Sequence, residues 1–259
     1  MKEQRFFYCP EPGRGELPEE EARHALRVLR LEQGDDIWLM DGNGHFIQAV
    51  ITEATGHRCR FREVMTQTPE PEWRGHIHLA MAPTKHIDRT EWMAEKATEI
   101  GMDELSFLDC RFSERHNIKS DRIDRILVSA MKQSHKALKP KLNDMVELTQ
   151  FFNREDLPTL RFIAHCYDMN DVGGGQKPLL AEELMRAASQ SADEPSVLVL
   201  IGPEGDFSTD EVQLAHSRGF RSVSLGSSRL RTETAALVAV HLMRLHCTPS
   251  LTSITTPKQ

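Results

Sequence analysis

No apolar run in this chain approaches the roughly 18 residues that a bilayer-spanning helix needs. The opening stretch, MKEQRFFYCPEPGRGELPEEE, has no continuous apolar core and no small-residue cleavage site, so no secretory signal is expected there. Cysteine is scarce. Cys9, Cys59, Cys110, Cys166 and Cys247 are scattered, odd in number and free of any C-x-x-C pair, which points to a reducing cytoplasm and away from a disulfide framework or a zinc site. The twelve histidines are equally dispersed. His76 and His78 share one face of a strand, but no acid or cysteine stands at ligand spacing beside them, so no metal is expected. No internal repeat is present, and neither a G-x-G-x-x-G fingerprint nor a P-loop occurs, which disfavours a pyrophosphate-binding role.

Positive charge is also in deficit, with a net charge of −7 over 259 residues. Its distribution matters more than its sum. From Arg111 to Lys141 there are nine bases against three acids, so that segment carries +6 and the remainder −13. Such a stretch can meet phosphates locally; an ordinary solvated helix face accounts for it equally well.

What is present is a change of pattern along the chain. Residues 1–70 read as β-rich, with a short helix near Glu19–Leu29. Strands at 36–40 and 45–50 flank Asp41-Gly42-Asn43-Gly44, a hairpin loop suited to positive φ. Residues 66–72 are polar and proline-rich and read as a linker. Thereafter strands alternate with helices. Strands are expected at 76–82, 105–108, 160–166, 197–201 and 222–225. Helices are expected at 88–100, from Ser120 as cap to Pro140 as stop, and at 179–188, 209–219 and 232–245. Gly101 should close its helix in left-handed geometry, residues 171–178 form a glycine-rich flexible loop, and the tail from 248 is polar and loose. The alternation implies an α/β domain with a mainly parallel sheet. Val197-Leu198-Val199-Leu200-Ile201, apolar at every position, belongs at its centre.

Ligands of open α/β sheets sit beyond the carboxyl ends of strands, and two such ends stand out. In Ile201-Gly202-Pro203-Glu204-Gly205-Asp206-Phe207 the glycines permit a sharp turn and close approach, and Ser208-Thr209-Asp210-Glu211 then forms a capping box. In Leu225-Gly226-Ser227-Ser228-Arg229-Leu230-Arg231-Thr232-Glu233-Thr234-Ala235, two arginines crowd the ligand edge. Thr232 is placed to cap the last helix, and Glu233 suits the positive end of its dipole.

These two motifs, in this order, closely resemble the RsmE family, the 16S ribosomal RNA uridine N3-methyltransferases of the SPOUT class. The resemblance extends to Lys85-x-x-Asp88-Arg89-x-Glu91-Trp92, to Glu95-Lys96-Ala97-Thr98-Glu99-Ile100-Gly101, to Gln133-Ser134 and, near the N-terminus, to Arg5-Phe6-Phe7, His24 and Val28-Leu29-Arg30. Nearly the whole chain is covered. The chain departs from the family where Asp206 replaces a frequent second glycine, and where Lys132-Gln133-Ser134-His135-Lys136 replaces Glu-Gln-Ser-x-Arg, which keeps a cation but loses arginine's fork.

The resemblance implies a PUA-like RNA-binding β-barrel over 1–70 and a SPOUT trefoil-knot α/β domain over 75–247, followed by a polar tail at 248–259. It implies S-adenosyl-L-methionine, bent in the knot and held by Leu200, Ile201, Gly202, Pro203, Glu204, Gly205, Leu225, Gly226, Leu230, Thr232, Thr234 and Ala235, largely through the backbone. The partners implied are 16S rRNA within the small ribosomal subunit and a second copy of the chain, with no membrane and no metal. Because uracil N3 carries a proton, a base or a stabilising cation would help. Arg231 is the candidate for the electrostatic role and Glu233 for the base, although a helix-start role explains Glu233 equally. Arg5, Arg30, Lys85, Arg89 and Arg125 are candidate phosphate contacts. Competing readings are a knotted methyltransferase acting on transfer RNA or another ribosomal site, a ribosome-assembly protein without catalysis, and a Rossmann dehydrogenase, which lacks the glycine fingerprint.

Overall fold

The computed structural model describes residues 5–172, 177–190 and 195–248. The chain divides into two units: residues 1–70 with 127–139, and residues 71–126 with 140–259. Of the flexible loop expected at 171–178, residues 171–172 instead end a short helix and residues 173–176 lie outside the described residues, as does most of the tail.

In the smaller unit, β1 (Phe6–Tyr8) is followed by α1 (Glu19–Arg23), which runs on into a π turn over His24–Val28. Strands β2 (Asp36–Met40), β3 (Phe46–Thr55) and β4 (Arg58–Gln67) complete it. The sheet order is β1-β2-β3-β4. Leu17 N donates to Cys59 O and Phe61 N to Gly15 O, so the chain just after β1 bonds to β4 and closes the sheet into a small barrel. Alternation along β3 sends Ile47, Ala49 and Ile51 inward, where they meet Phe7, Ile37, Leu39 and Phe61. The 41–44 loop turns as expected: Asp41 Oδ1 accepts from Asn43 N and His45 N, and Gly42 and Gly44 both have positive φ.

The larger unit holds β5 (His76–Met81), α2 (Ile87–Ile100), β6 (Glu104–Asp109), α3 (Ser120–Gln133), β7 (Lys141–Leu142), β8 (Val146–Glu147), α4 (Leu148–Phe151), β9 (Leu160–Ala164), α5 (Met169–Val172), α6 (Leu180–Gln190), β10 (Ser196–Ile201), α7 (Thr209–Ser217), β11 (Arg221–Val223) and α8 (Thr232–Cys247); the C-terminal part of α3 belongs to the smaller unit. The strands form one parallel sheet in the order β11-β9-β10-β5-β6-β7, with β8 beside β6. Strand β10 lies inside it, buried from Val197 to Ile201, as its all-apolar sequence requires.

Residues 221–224 are clasped on both sides. Strand β11 pairs with β9, while Ser224 N donates to Pro178 O and Leu180 N to Ser224 O. The chain leaves this clasp to form α8, which packs on α2, α6, β5 and β10. Such threading is a rare exception to the usual avoidance of knots.

Four local expectations are corrected. Helix α3 stops at Gln133, not at Pro140. Ser134 Oγ bonds back to Ala130 O, His135 takes φ +54°, and Leu138 instead bridges to Gly42 and Asn43. Gly101 has positive φ but is extended in ψ (118°, 109°), outside the left-handed helical region. Thr232 does not cap α8; Arg231 occupies that position without a side-chain bond, and Thr232 is the first helical residue. His76 and His78 do have an acidic partner: Glu104, on the neighbouring strand β6, approaches them at 3.0 and 3.7 Å. Register across a parallel pair, invisible to spacing within one strand, puts it there. Among the described residues no group of three or more His, Cys, Asp or Glu side chains is arranged to hold a metal ion, and no helix is long and apolar enough to cross a membrane.

Candidate active site

Both highlighted turns open from the carboxyl edge of the sheet onto one cavity of about 800 Å³. The first turn follows β10. Gly202 is required by close approach: a Cβ there would meet the Phe207 ring and backbone N at 3.0–3.1 Å. Asp206 N donates to Pro203 O at 2.9 Å, and Asp206 itself sits at φ +68°. That left-handed conformation explains why glycine suits the position. Aspartate holds it here through its carboxylate, which accepts from Phe207 N at 2.8 Å and from Cys166 N at 2.7 Å. Glu204 Oε1 accepts from Lys85 N at 2.9 Å, pinning the turn to the β5–α2 connection. The capping box forms as read: Ser208 Oγ accepts from Glu211 N, and the Glu211 carboxylate accepts from Ser208 N.

The second turn follows β11. Gly226 takes φ +133°, and Ser224 Oγ bridges its N and O. Residues 225–233 and Ala235 all line the cavity. Arg229 and Arg231 are exposed there, whereas Thr232 and Glu233 are buried.

Of the residues expected around the cofactor, Ile201, Gly202, Pro203, Glu204, Leu225, Gly226, Leu230, Thr232 and Ala235 line the cavity together with Arg231 and Glu233. Leu200, Gly205 and Thr234 are not on its wall: Leu200 is fully buried in β10, and Gly205 backs onto Phe112. Of the five candidate phosphate contacts, three belong to the larger unit and two to the smaller. Arg89 lines the cavity, with Nη1 3.8 Å from Glu233 Oε1. Lys85 pairs with Glu114 at 3.1 Å and Arg125 is exposed on α3. Arg5 and Arg30 are exposed on the smaller unit. Several cations of the basic stretch are engaged in pairs: Arg111 with Asp210, Arg122 with Glu91, Lys132 with Glu21 and Lys141 with Glu104.

The sequence reading missed the contribution of β9. Ala164, His165 and Cys166, at its carboxyl end, line the cavity with Lys177, Val223 and Ser224. Applying the strand-end rule to β9 would have found the first three. Lys177 Nζ donates to His165 O and Tyr167 O, fixing that edge. His165 Nε2 and His216 Nε2 both meet Ser222 Oγ at 2.7 Å. Burial, reinforced by the Lys177 charge, lowers the His165 pKa to about 4, so its ring is neutral near pH 7.

The residues fit S-adenosyl-L-methionine. Ala164, Ile201, Val223, Leu225, Leu230 and Ala235 offer an apolar bed for a purine, and the volume falls within the usual range for small-molecule sites. Gly202 lets the turn pack directly on Phe207 while its own backbone stays on the cavity wall, and Glu233 Oε2 is a buried acceptor with no donor.

A parallel α/β sheet clasped by its own chain, with a two-turn cavity at that clasp, defines the SPOUT trefoil-knot class of methyltransferases. A family model described as an RNA methyltransferase domain matches residues 71–244, and one described as an RNA methyltransferase PUA domain matches residues 17–64. The chain belongs to this RNA methyltransferase family, in its RsmE branch. A crystal structure of a probable rRNA-methyltransferase from Porphyromonas gingivalis is 41% identical, with a TM-score of 0.81 over 94% of this chain and 98% of that one. The Ribosomal RNA small subunit methyltransferase E of Neisseria gonorrhoeae, solved bound to S-adenosyl methionine, is 26% identical with a TM-score of 0.74 over the same shares. The enzyme of that name from Rickettsia conorii is 26% identical over 85% of this chain and 86% of its own length.

Proposed function

We propose that the protein transfers the methyl group of S-adenosyl-L-methionine to N3 of a specific uridine in 16S rRNA of the small ribosomal subunit, acting in the cytoplasm as a homodimer. The observation that carries this reading is the meeting of the glycine turn 202–207 and the arginine turn 225–231 on one cavity. Backbone groups of the two turns, at Gly202, Leu225 and Leu230, hold the donor, and the apolar wall takes its adenine. When bound, the donor supplies a methyl already activated by its sulfonium.

The protein's remaining tasks are positioning and charge. Uracil N3 becomes nucleophilic as its proton passes to solvent water, and the exposed guanidinium of Arg231 stabilises the resulting anion. Glu233 is set back from solvent at the start of α8, which suits holding a bound ligand better than taking a proton from arriving RNA. Arg5, Arg30, Lys85 and Arg125 contact phosphates, while Arg89, on the cavity wall, serves the donor.

The test is methyl transfer from labelled S-adenosyl-L-methionine to small subunits, or to their RNA, from a strain lacking the gene, followed by mapping of the modified nucleotide. Label on N3 of one 16S uridine is the expected result. Label on transfer RNA or on another site would replace the substrate assignment, and donor binding without transfer would favour the non-catalytic reading.

A further inference from the structure

Two side chains of opposite charge share the cavity with bonding capacity left over. Glu233, in the first turn of α8, is 7% exposed, and its Oε2 is buried without a hydrogen-bond partner. Its Oε1 has only the long approach from Arg89 Nη1, at 3.8 Å, beyond hydrogen-bonding distance. The other buried acids of this unit are provided for. Glu104 is held by His76, Arg154 and Asn143, and Glu183 by Arg186 and Arg221. An acceptor left buried and unbonded costs stability unless something else supplies the donor. Glu91 Oε1 is also buried without a hydrogen bond, but it is ion-paired to Arg122; Glu233 Oε2 lies on the cavity with no such partner.

The missing partner must present a cationic donor to Glu233 and an anionic acceptor to the guanidinium of Arg89. The two must lie on neighbouring atoms, because the side chains are only 3.8 Å apart. An α-amino acid zwitterion has that arrangement: an ammonium with donors only and a carboxylate with acceptors only, on one carbon. We propose that Glu233 and Arg89 bind the methionyl end of the methyl donor, Glu233 accepting from the α-ammonium and Arg89 donating to the α-carboxylate. This rests on the methyl-donor reading above. A uracil, whose N3–H lies beside carbonyl oxygens, would present a related pattern. Exposure decides against it, since Arg229 and Arg231 meet solvent on this cavity and Glu233 does not.

Two ligands separate the contributions in calorimetry with the full chain. S-adenosylhomocysteine carries the amino-acid end, and 5′-methylthioadenosine lacks it. Glu233→Gln and Arg89→Met should each weaken S-adenosylhomocysteine by about ten-fold or more, the loss expected for a charge-assisted hydrogen bond. Both should leave methylthioadenosine within about two-fold of wild type, which also shows that the variants fold. Equal loss for both ligands would mean a merely structural pair and overturn the assignment. Unchanged affinity for S-adenosylhomocysteine with loss of methyl transfer would assign the pair to the substrate base and overturn it too. If wild type binds neither ligand, the methyl-donor reading falls first and this one with it; if wild type binds both and the variants do as well, only this one falls.

Discussion

Asp206 offers a direct measurement of what a non-glycine residue costs in the first turn. It holds φ +68°, and its carboxylate accepts from Cys166 N at 2.7 Å and Phe207 N at 2.8 Å. Left-handed backbone costs an L-residue about 1 kcal/mol relative to glycine. Two hydrogen bonds to a charged acceptor, with one donor near solvent, are together worth about 2–4 kcal/mol. Asp206→Ala keeps the strain and loses both bonds, so it should destabilise by about 2–4 kcal/mol. Asp206→Gly loses the same bonds but sheds the strain, so it should recover about 1 kcal/mol of that loss. Asp206→Asn keeps an acceptor and should fall nearest wild type. Urea unfolding of the three variants, compared at constant m-value, gives the series directly. Because the carboxylate ties turn 202–207 to the end of β9, donor affinity should fall in the same order for Asn and Ala. Alanine as stable as glycine would refute the strain argument, and alanine as stable as wild type would refute the role of the carboxylate.

Arg231→Ala should cut methyl transfer by well over ten-fold with an unchanged unfolding midpoint; a loss within about three-fold, about 0.7 kcal/mol, would leave Arg231 no special part. Gly202→Val pushes a branched side chain toward Phe207 and should abolish donor binding, and wild-type affinity in calorimetry would remove that turn from the site. Ser208→Ala breaks the capping box of α7 and should cost about 1 kcal/mol in urea unfolding. Stability should also fall as pH drops from about 6.5 towards 4.5. Burial pushes His78 down to about 3, burial and Lys177 push His165 down to about 4, and burial lowers His246, so below their ordinary value the unfolded chain binds protons that the native one refuses. His76 opposes this: its bond to Glu104 raises its pKa, so its contribution is full below pH 6.5 and lost only as pH rises past its raised value. Burial disfavours the charge on Glu104, but His76, His78, Arg154 and Asn143 outweigh it and hold its pKa low, so its contribution persists until pH falls below the ordinary carboxylate range. A stability that rises on acidification through this window would contradict the balance, and His78→Gln should flatten the slope.

Much of the site was legible because its signals are short-ranged. The Ser208–Glu211 box is spelled within four residues and forms. The run 197–201 announces an interior strand, and Gly202 marks a close backbone approach. Where the reading failed, a distant residue intervened. The apolar rhythm of α3 continues to Leu138, yet the helix ends at Gln133, where residues 137–139 bond to the 42–44 loop and His135 packs on Phe6. The partner of His76 and His78 was missed because it stands across a strand pair, not along one strand.

The amino-acid sequence alone determined most of the long helices and strands of the larger unit and marked the two turns that meet on one cavity, since side-chain period, caps and glycine act over a few residues. The tertiary structure alone decided that Arg89 joins Glu233 on the cavity, that the end of β9 supplies His165 and Cys166 to it, and that residues 127–139 belong with the first seventy. Those outcomes depend on strand order and on the clasp around residues 221–224, which bring together positions far apart along the chain that no local pattern links.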